Sequence, residues 1–174
     1  MDHLKSLIRT IPDFPHKGIE FRDLTTLFLD GPGFKETIMA MAEQHRALAV
    51  DVIIGIESRG FILGAPLAVE LGTGFVPVRK PGKLPGATIG IEYDLEYGSD
   101  RLEIHNDAIK QGARVLMVDD LLATGGTMAA ACALVEKMGG EVLGCSFVVE
   151  LVDLKGRERL QRFPIHKLVA FEGE

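Results

Sequence analysis

The stretch that decides the fold is RVLMVDDLLATGGTM, residues 114–128. Its apolar part, residues 115–118, is typical of a buried strand in a parallel sheet that helices cover on both faces. Two carboxylates, Asp119 and Asp120, follow directly, and the turn Thr124-Gly125-Gly126-Thr127 comes next. Because ligands bind outside the carboxyl ends of the strands in open parallel sheets, the pattern predicts a ligand site just beyond this strand.

The alanine-rich segment 128–137 follows the turn and is typical of a helix. The turn then lies at a helix N-terminus, where free backbone N–H groups and the helix dipole favour a phosphate dianion. The two carboxylates accept hydrogen bonds, and a ribose offers neighbouring hydroxyl donors. The stretch therefore predicts a clamp for a sugar phosphate, with an ordinary capped turn as the alternative. The chain has neither a Walker A loop nor a Gly-x-Gly-x-x-Gly fingerprint, which argues against P-loop nucleoside triphosphatases and Rossmann dehydrogenases.

Length and composition predict a single domain over residues 1–174. The chain is 47% hydrophobic, which is enough for one well-filled core. Its net charge of −6, with no tryptophan and 6% aromatic residues, argues against nucleic-acid binding. No apolar run reaches membrane-spanning length, and the N-terminal segment lacks the apolar core of a signal peptide. Cys132 and Cys145 have no metal-ligand spacing, so we expect buried reduced thiols in a cytoplasmic protein without membrane contact.

Hydrophobic patterning predicts strands that alternate with helices through the middle of the chain. This defines an α/β fold with a mostly parallel central sheet flanked by helices. The predicted helices cover residues 3–9, 31–48, 61–71, 128–137 and 153–160. The predicted strands cover residues 18–24, 52–56, 74–78, 115–118, 141–152 and 167–171. His45 is predicted to be a packing residue rather than a catalyst.

Two further segments concentrate polar groups. The second strand ends in the turn Glu57-Ser58-Arg59-Gly60, whose hydroxyl, backbone donors and guanidinium suit a second anion such as pyrophosphate. A surface turn with its arginine in solvent is the alternative. The segment 79–86 carries three cations among prolines and glycines, and from residue 88 the pattern alternates as in a β-hairpin. We interpret residues 80–105 as a flexible flap; by spacing alone, Glu96 and Tyr97 near its tip would be a solvated carboxylate and a packed tyrosine.

The stretch VLMVDDLLATGGT resembles the signature of the type I phosphoribosyltransferases, which bind 5-phosphoribosyl 1-diphosphate (PRPP). Four more segments resemble the members of that family that use adenine, and they occur in the family's order over nearly the whole chain. These segments are IPDFPHKGIEFRDLTTLF, GIESRGFILGAPLA, VPVRKPGKLPG and YDLEYGSDRLEIH. The resemblance implies the family's fold, with a small N-terminal hood within residues 1–30 and the flap.

The resemblance also implies a role for individual residues. Asp119 and Asp120 would hold the ribose hydroxyls, and Glu96 with Tyr97 would handle the proton at the purine. The 5′-phosphate would lie in the turn Ala123, Thr124, Gly125, Gly126 and Thr127. Pyrophosphate would contact the turn Glu57, Ser58 and Arg59, and also Arg79 and Lys83. That turn would contain a cis peptide, and Lys83 would reach a neighbouring subunit. Adenine would contact Phe21, Arg22, Leu121 and Leu151.

The implied reaction joins adenine to the phosphoribosyl group, with AMP and diphosphate as products. The implied cofactor is Mg²⁺, held mainly by substrate oxygens, so that no direct protein ligand is assigned. The implied assembly is a homodimer. Three alternatives remain: a phosphoribosyltransferase for another purine base, a transcriptional regulator that keeps the PRPP site without catalysis, and a diphosphokinase that makes the donor. The last two would need, respectively, a DNA-binding module and an additional ATP site.

Overall fold

The computed structural model describes residues 1–94 and 98–173, with only the backbone of Asp94. The helices are α1 (Asp2–Ser6), α2 (Thr25–Leu29), α3 (Gly31–His45), α4 (Arg59–Leu71) and α5 (Gly126–Lys137). The strands are β1 (Arg9–Pro12), β2 (Glu20–Asp23), β3 (Val52–Ile56), β4 (Gly74–Val78), β5 (Thr88–Asp94), β6 (Ser99–His105), β7 (Arg114–Leu122), β8 (Glu141–Leu151) and β9 (Ile165–Phe171). Two 3₁₀ segments, Val152–Leu154 and Gly156–Leu160, connect the last two strands.

Five strands form the central sheet in the order β4-β3-β7-β8-β9, and every neighbouring pair is parallel. The chain moves outward from β3 to β4 and then returns to the other side of β3 as β7. Helices that leave β3 and β7 therefore diverge, and a crevice opens between the carboxyl ends of these two strands. Such a switch point is where open α/β sheets bind ligands. The fold class predicted from the alternating pattern is confirmed.

Apolar side chains fill both faces of the sheet. On one face, α3 and α4 supply residues such as Met41 and Leu63, which pack with Ile53 of β3. On the other face, α5 and the β5-β6 hairpin pack against Met117 of β7, with Leu134 as a central contact. The longest helix, α3, has 15 residues, and among residues 1–94 and 98–173 no helix is long and apolar enough to cross a membrane.

Several boundaries differ from the sequence prediction. β3 and β4 begin and end where predicted, because each is a short apolar run between polar turns. β7 continues through Leu122, four residues past its predicted end, because its ladder with β8 extends to the pair Leu122 and Glu150. The charged helix predicted over residues 153–160 is instead a pair of 3₁₀ segments. β1 and α2, of four and five residues, were not predicted, since such short elements depend on tertiary contacts.

His45 is a packing residue, as the sequence predicted. Its side chain is fully buried, its Nε2 lies 2.9 Å from Ser146 Oγ, and its ring meets His166 edge-on at a centroid distance of 4.7 Å. Its Nδ1 has no hydrogen-bond partner among the described residues. Burial, with a smaller contribution from the charge of His166, lowers the pKa of His45 from 6.5 to about 4. The fold therefore holds this imidazole neutral.

This buried imidazole should make the protein less stable in mild acid. In the unfolded chain His45 binds a proton below about pH 6.5, whereas in the folded chain it does so only near pH 4. The free energy of unfolding therefore falls as the pH is lowered through this window. The loss attributable to His45 at pH 4 is about 3 kcal/mol. Urea unfolding of the wild type and of His45→Gln at pH 7 and pH 4 measures it by difference. An identical pH dependence in the two proteins would contradict the assignment.

Candidate active site

A cavity of about 380 Å³ lies at the switch point between β3 and β7. One wall is the turn that follows β3, and the other is the end of β7 with the turn that leads into α5. Its lining consists of Ile56, Glu57, Ser58, Arg59, Lys80, Phe147 and the continuous run from Asp119 to Met128. The two polar turns singled out in the sequence are thus brought together on one cavity.

Asp119 and Asp120 lie within β7 rather than beyond it, which corrects the sequence prediction. The ladder of β7 with β3 ends at the pair Gly55 and Val118, whereas its ladder with β8 continues. The strand edge that faces β3 is therefore free of a neighbouring strand from Asp119 onward. The consequence is a carboxylate pair held by a regular strand on one side and open to the cavity on the other.

Burial dominates the electrostatics of this carboxylate pair. The Asp120 side chain is 6% exposed, and its Oδ2 lies 2.7 Å from Arg59 Nε. Burial raises the pKa of Asp119 well above its ordinary value, and the neighbouring charge of Asp120 raises it further. Burial also raises the pKa of Asp120, but the Arg59 guanidinium opposes this shift. A buried carboxylate pair of this kind favours a ligand that brings hydroxyl donors or positive charge.

The turn before α5 has the geometry of a phosphate site. Gly125 caps the helix with φ +79°, a left-handed conformation that glycine adopts without strain. A Cβ at this position would also lie 2.5 Å from the carbonyl oxygen of Gly156, so the turn is packed directly against the second 3₁₀ segment. Thr124 and Thr127 line the cavity on either side of the two glycines. The backbone N–H groups of the first turn of α5 are available to an anion there.

The opposite turn carries a cis peptide between Glu57 and Ser58, as the family resemblance implies. The Glu57 carboxylate of this turn is surrounded by donors. Its Oε2 accepts hydrogen bonds from Arg79 Nε and from the Lys80 backbone N–H, both at 3.0 Å. Burial raises the pKa of Glu57, but these hydrogen bonds outweigh it and hold that pKa below the ordinary value. Glu57 therefore remains ionised and anchors the basic segment to the cavity wall.

The N-terminal hood reaches the cavity through Arg59. The Arg59 guanidinium lies 5.6 Å from the centre of the Phe21 ring while its Nε pairs with Asp120. Phe21 itself packs edge-on against Phe14, with the ring centres 5.2 Å apart. One arginine thus contacts the hood, the carboxylate pair and the cavity at once.

The cavity lining does not include Arg22, Arg79, Lys83 or Leu151. Arg79 is turned toward Glu57, and its Nη1 donates to the carbonyl oxygen of the exposed Lys83. Arg22 is buried, with hydrogen bonds to Thr10 and Glu20, and Leu151 belongs to the core. Of the predicted base-pocket residues, Leu121 lines the cavity. Glu96 and Tyr97 lie outside the described residues, so their assignment stays a prediction.

Lys80, Phe147 and Tyr93 are among the residues near the cavity that the sequence prediction missed. Lys80 and Phe147 line it, and Tyr93 places its hydroxyl 3.3 Å from Thr127 Oγ1. Lys80 lies in the basic segment 79–86, for which the family resemblance implies a role for Arg79 and Lys83 but not for this lysine. Nothing in the local sequence around Phe147 or Tyr93 indicates the contact, because both reach the site by tertiary packing.

Metal-binding potential at the site is limited to few carboxylates. Within residues 1–94 and 98–173, no group of three or more His, Cys, Asp or Glu side chains could hold a metal ion. Any divalent cation here would therefore take most of its ligands from a bound substrate and from water.

A carboxylate pair and a phosphate turn on one wall, with an arginine turn on the other, define a protein that binds a phosphorylated sugar carrying a second anionic group. Comparison with known proteins agrees with this kind of site. The protein-family model described as "Phosphoribosyl transferase domain" matches residues 25–166. The chain belongs to the phosphoribosyltransferase family and, within it, to the adenine phosphoribosyltransferases.

Individual relatives match over nearly the full chain. The adenine phosphoribosyltransferase of Chloroflexus aurantiacus is 59% identical, covering 97% of this chain and 97% of the relative. The crystal structure of the Thermoanaerobacter pseudethanolicus enzyme superimposes with a TM-score of 0.95 at 51% identity, over 98% of this chain and 99% of that chain. The Saccharomyces cerevisiae enzyme, solved with an imino-altritol bisphosphate and adenine, gives 0.91 at 44% identity over 97% of both chains.

Proposed function

We propose that this protein transfers the phosphoribosyl group of PRPP to N9 of adenine, producing AMP and diphosphate in purine salvage. The observation that carries the proposal is the single cavity shared by the Asp119-Asp120 pair, the phosphate turn and the arginine turn. A donor with a phosphate at one end of its ribose and a diphosphate at the other matches two anion turns that face each other. The names of the relatives indicate the same reaction.

The 5′-phosphate binds at the N-terminus of α5. Its charge is stabilised by the backbone N–H groups of the turn from Ala123 to Thr127 and by the two threonine hydroxyls. The ribose then lies over the carboxylate pair, whose oxygens accept the hydrogen bonds of its two hydroxyls. Both contacts fix the sugar before the bond to the leaving group breaks, which is the positioning that transfer requires.

The leaving diphosphate is bound on the opposite wall. Arg59 is a cation of the cavity wall, and Arg79 and Lys83 are further cations on the basic segment. Arg59 and Arg79 are paired with Asp120 and Glu57, so diphosphate has to compete with these carboxylates. Cations that bind the diphosphate stabilise the negative charge that grows as it departs.

Negative charge on the other side of the ribose stabilises the reacting carbon. As the bond to diphosphate breaks, the ribose gains the character of an oxocarbenium ion. With the ribose over the Asp pair, this positive charge develops beside Asp119 and Asp120. It favours their ionised form, which burial alone disfavours, and low local polarity strengthens the attraction. Exclusion of water protects the same centre from hydrolysis.

The donor set fits Mg²⁺. Mg²⁺ is commonly bound through one or two carboxylates together with substrate phosphate oxygens and water. The described cavity offers the Asp pair for this, because its other carboxylate, Glu57, is engaged by Arg79 and the Lys80 backbone N–H. Asp119 and Asp120 are the residues that would face the ion. When bound, it neutralises charge on the diphosphate.

The base stacks under the hood near Phe21, with Leu121 as an apolar wall. Glu96 handles the proton at the purine, a role that rests on the family resemblance. Replacing Glu96 with Gln should lower kcat by about a hundredfold or more, since positioned proton-transfer groups typically contribute about 10²- to 10⁴-fold. The Kd of PRPP should stay within about twofold. Steady-state kinetics and calorimetric PRPP titration measure the two effects, and normal turnover would remove Glu96 from the mechanism.

We propose a homodimer located in the cytoplasm. On α4, the side chains of Ile62 and Val69 are 42% and 82% exposed, and their spacing of seven residues puts them on one face of the helix. Exposed apolar side chains that share a face are typical of a subunit interface. Cys132 and Cys145 are buried thiols with their sulfur atoms 3.7 Å apart, which suits a reducing compartment.

A panel of bases tests the proposed substrate. The protein is mixed with Mg²⁺, PRPP and either adenine, hypoxanthine, guanine or xanthine, and the release of diphosphate is followed. We expect rapid release with adenine and at least a hundredfold slower release with the other three. Preferential release with another base would identify a different purine phosphoribosyltransferase, and no release with any base would favour the non-catalytic regulator.

A further inference from the structure

Three cations at or beside the cavity are each paired with a carboxylate of the protein. The pairs are Arg59 with Asp120, Arg79 with Glu57 and Lys80 with Asp100. The first two join residues of the cavity turns and of the basic segment that borders them. The third is different, because its carboxylate belongs to β6 of the hairpin, whereas its cation lines the cavity as Arg59 does.

Asp100 is held in place by the hairpin itself. Its Oδ1 accepts a hydrogen bond from the Arg101 backbone N–H at 2.8 Å, and its Oδ2 accepts one from the Tyr93 hydroxyl at 3.2 Å. The same Oδ2 pairs with Lys80 Nζ. Because the carboxylate is fixed by two donors of its own hairpin, it provides a defined position for the flexible lysine side chain.

The contacts of Tyr93 connect this ion pair to the phosphate turn. The tyrosine hydroxyl lies between Asp100 Oδ2 and Thr127 Oγ1, at 3.2 Å and 3.3 Å. Thr127 lines the cavity in the turn that receives the 5′-phosphate. One chain of polar contacts therefore runs from a cation of the basic segment, through the hairpin, to the opposite wall of the site.

We propose that Asp100 is a positioning residue that holds Lys80 at the cavity wall and competes with the donor's diphosphate for its ammonium group. The inference rests on the proposed function for the identity of the diphosphate. The Asp100 side chain is 22% exposed and that of Lys80 is 42% exposed, so the lysine can turn toward a ligand while the carboxylate stays. An anion that takes the lysine has to displace this carboxylate and tolerate its negative charge nearby.

Binding of inorganic diphosphate at a fixed Mg²⁺ concentration tests the competition without any reaction. Replacing Asp100 with Asn removes the charge and keeps the side-chain shape. Isothermal titration should show diphosphate binding about three- to fivefold tighter than in the wild type, the upper part of the range expected for loss of one partly exposed ionic competitor. The double variant Lys80→Met with Asp100→Asn should bind like Lys80→Met alone. Asp100→Ser removes the same charge and serves if the Asn variant folds poorly.

The control is Glu92→Gln, which makes the same charge change on the same hairpin. Glu92 is exposed and its partner is Arg101, so diphosphate binding should stay within twofold of the wild type. Unchanged or weaker diphosphate binding in Asp100→Asn would overturn the inference. Tighter binding by the double variant than by Lys80→Met alone would also overturn it. If Asp100 only stabilised the hairpin, thermal stability would fall and the Kd would not move, which would also overturn it.

A separate measurement keeps this inference distinct from the proposed function. AMP formation by the wild type tests the reaction, whereas the titration tests only the exchange of Lys80 between two anions. If the wild type forms no AMP, the proposed function is contradicted. Even then, tighter diphosphate binding in Asp100→Asn that depends on Lys80 would support the exchange of Lys80 between Asp100 and diphosphate.

Discussion

Replacing both Asp119 and Asp120 with Asn should lower kcat/KM for PRPP by about 10²- to 10³-fold. The amides keep the shape of the two side chains and one acceptor oxygen each, but they lose the negative charge beside the reacting carbon. Preorganised electrostatic groups of this kind typically contribute a factor of this size. The loss should fall mainly on kcat, since Arg59 would be freed from Asp120 and would still be available to the diphosphate.

A matched control separates this effect from a general change of charge. Asp107 is exposed and lies in the connection before β7, which joins the opposite end of the sheet. Asp107→Asn should leave kcat/KM within twofold of the wild type. Steady-state kinetics with PRPP and adenine measure both variants. An unchanged kcat/KM in the double variant would remove the Asp pair from the proposed stabilisation of the ribosyl centre.

Replacing Arg59 with Ala should lower kcat/KM by about a hundredfold or more. The variant loses a cation of the wall that binds the diphosphate and also leaves Asp120 buried without its ionic partner. Because the guanidinium opposes the upward shift in the pKa of Asp120, its removal should raise that pKa further. The variant should therefore recover part of its activity as the pH rises, since Asp120 ionises only at higher pH.

The pH profile of kcat/KM provides the measurement, with two comparison variants. Arg59→Lys keeps the charge but loses the planar fork, so its activity should lie between those of the wild type and Arg59→Ala. Arg46 pairs with Glu43 and Glu70 on the surface of α3 and α4, and Arg46→Ala should leave the kinetics unchanged. A wild-type pH profile and a wild-type kcat/KM in Arg59→Ala would contradict this role.

The sequence allowed the central strands and the two anion turns to be predicted because both depend on local patterns. Apolar runs followed by polar turns identified β3, β4 and β7, and parallel topology brings the carboxyl ends of such strands to one edge of the sheet. The predicted end of β7 was wrong, because the end of this strand depends on how far β8 extends alongside it. That pairing is a tertiary property, and the local sequence after Val118 reads equally well as a loop.

The contacts that link the site to the rest of the molecule could not be predicted from the sequence. Arg59 was expected at the pyrophosphate, but its contact with Phe21 joins residues 38 positions apart in the chain. The chain of contacts through Lys80, Asp100 and Tyr93 likewise depends on the register of the β5-β6 hairpin. For Glu96 and Tyr97 the family resemblance remains the only support, and their roles stay predictions.

The most direct test of the central claim is the stoichiometry of products from adenine and PRPP. Donor labelled in its ribose is incubated with Mg²⁺, adenine and the protein, and AMP and diphosphate are quantified in the same samples. Transfer predicts equal amounts of AMP and diphosphate, with all released label in AMP. Diphosphate released together with free ribose 5-phosphate, or no release of either product, would contradict the assignment as an adenine phosphoribosyltransferase.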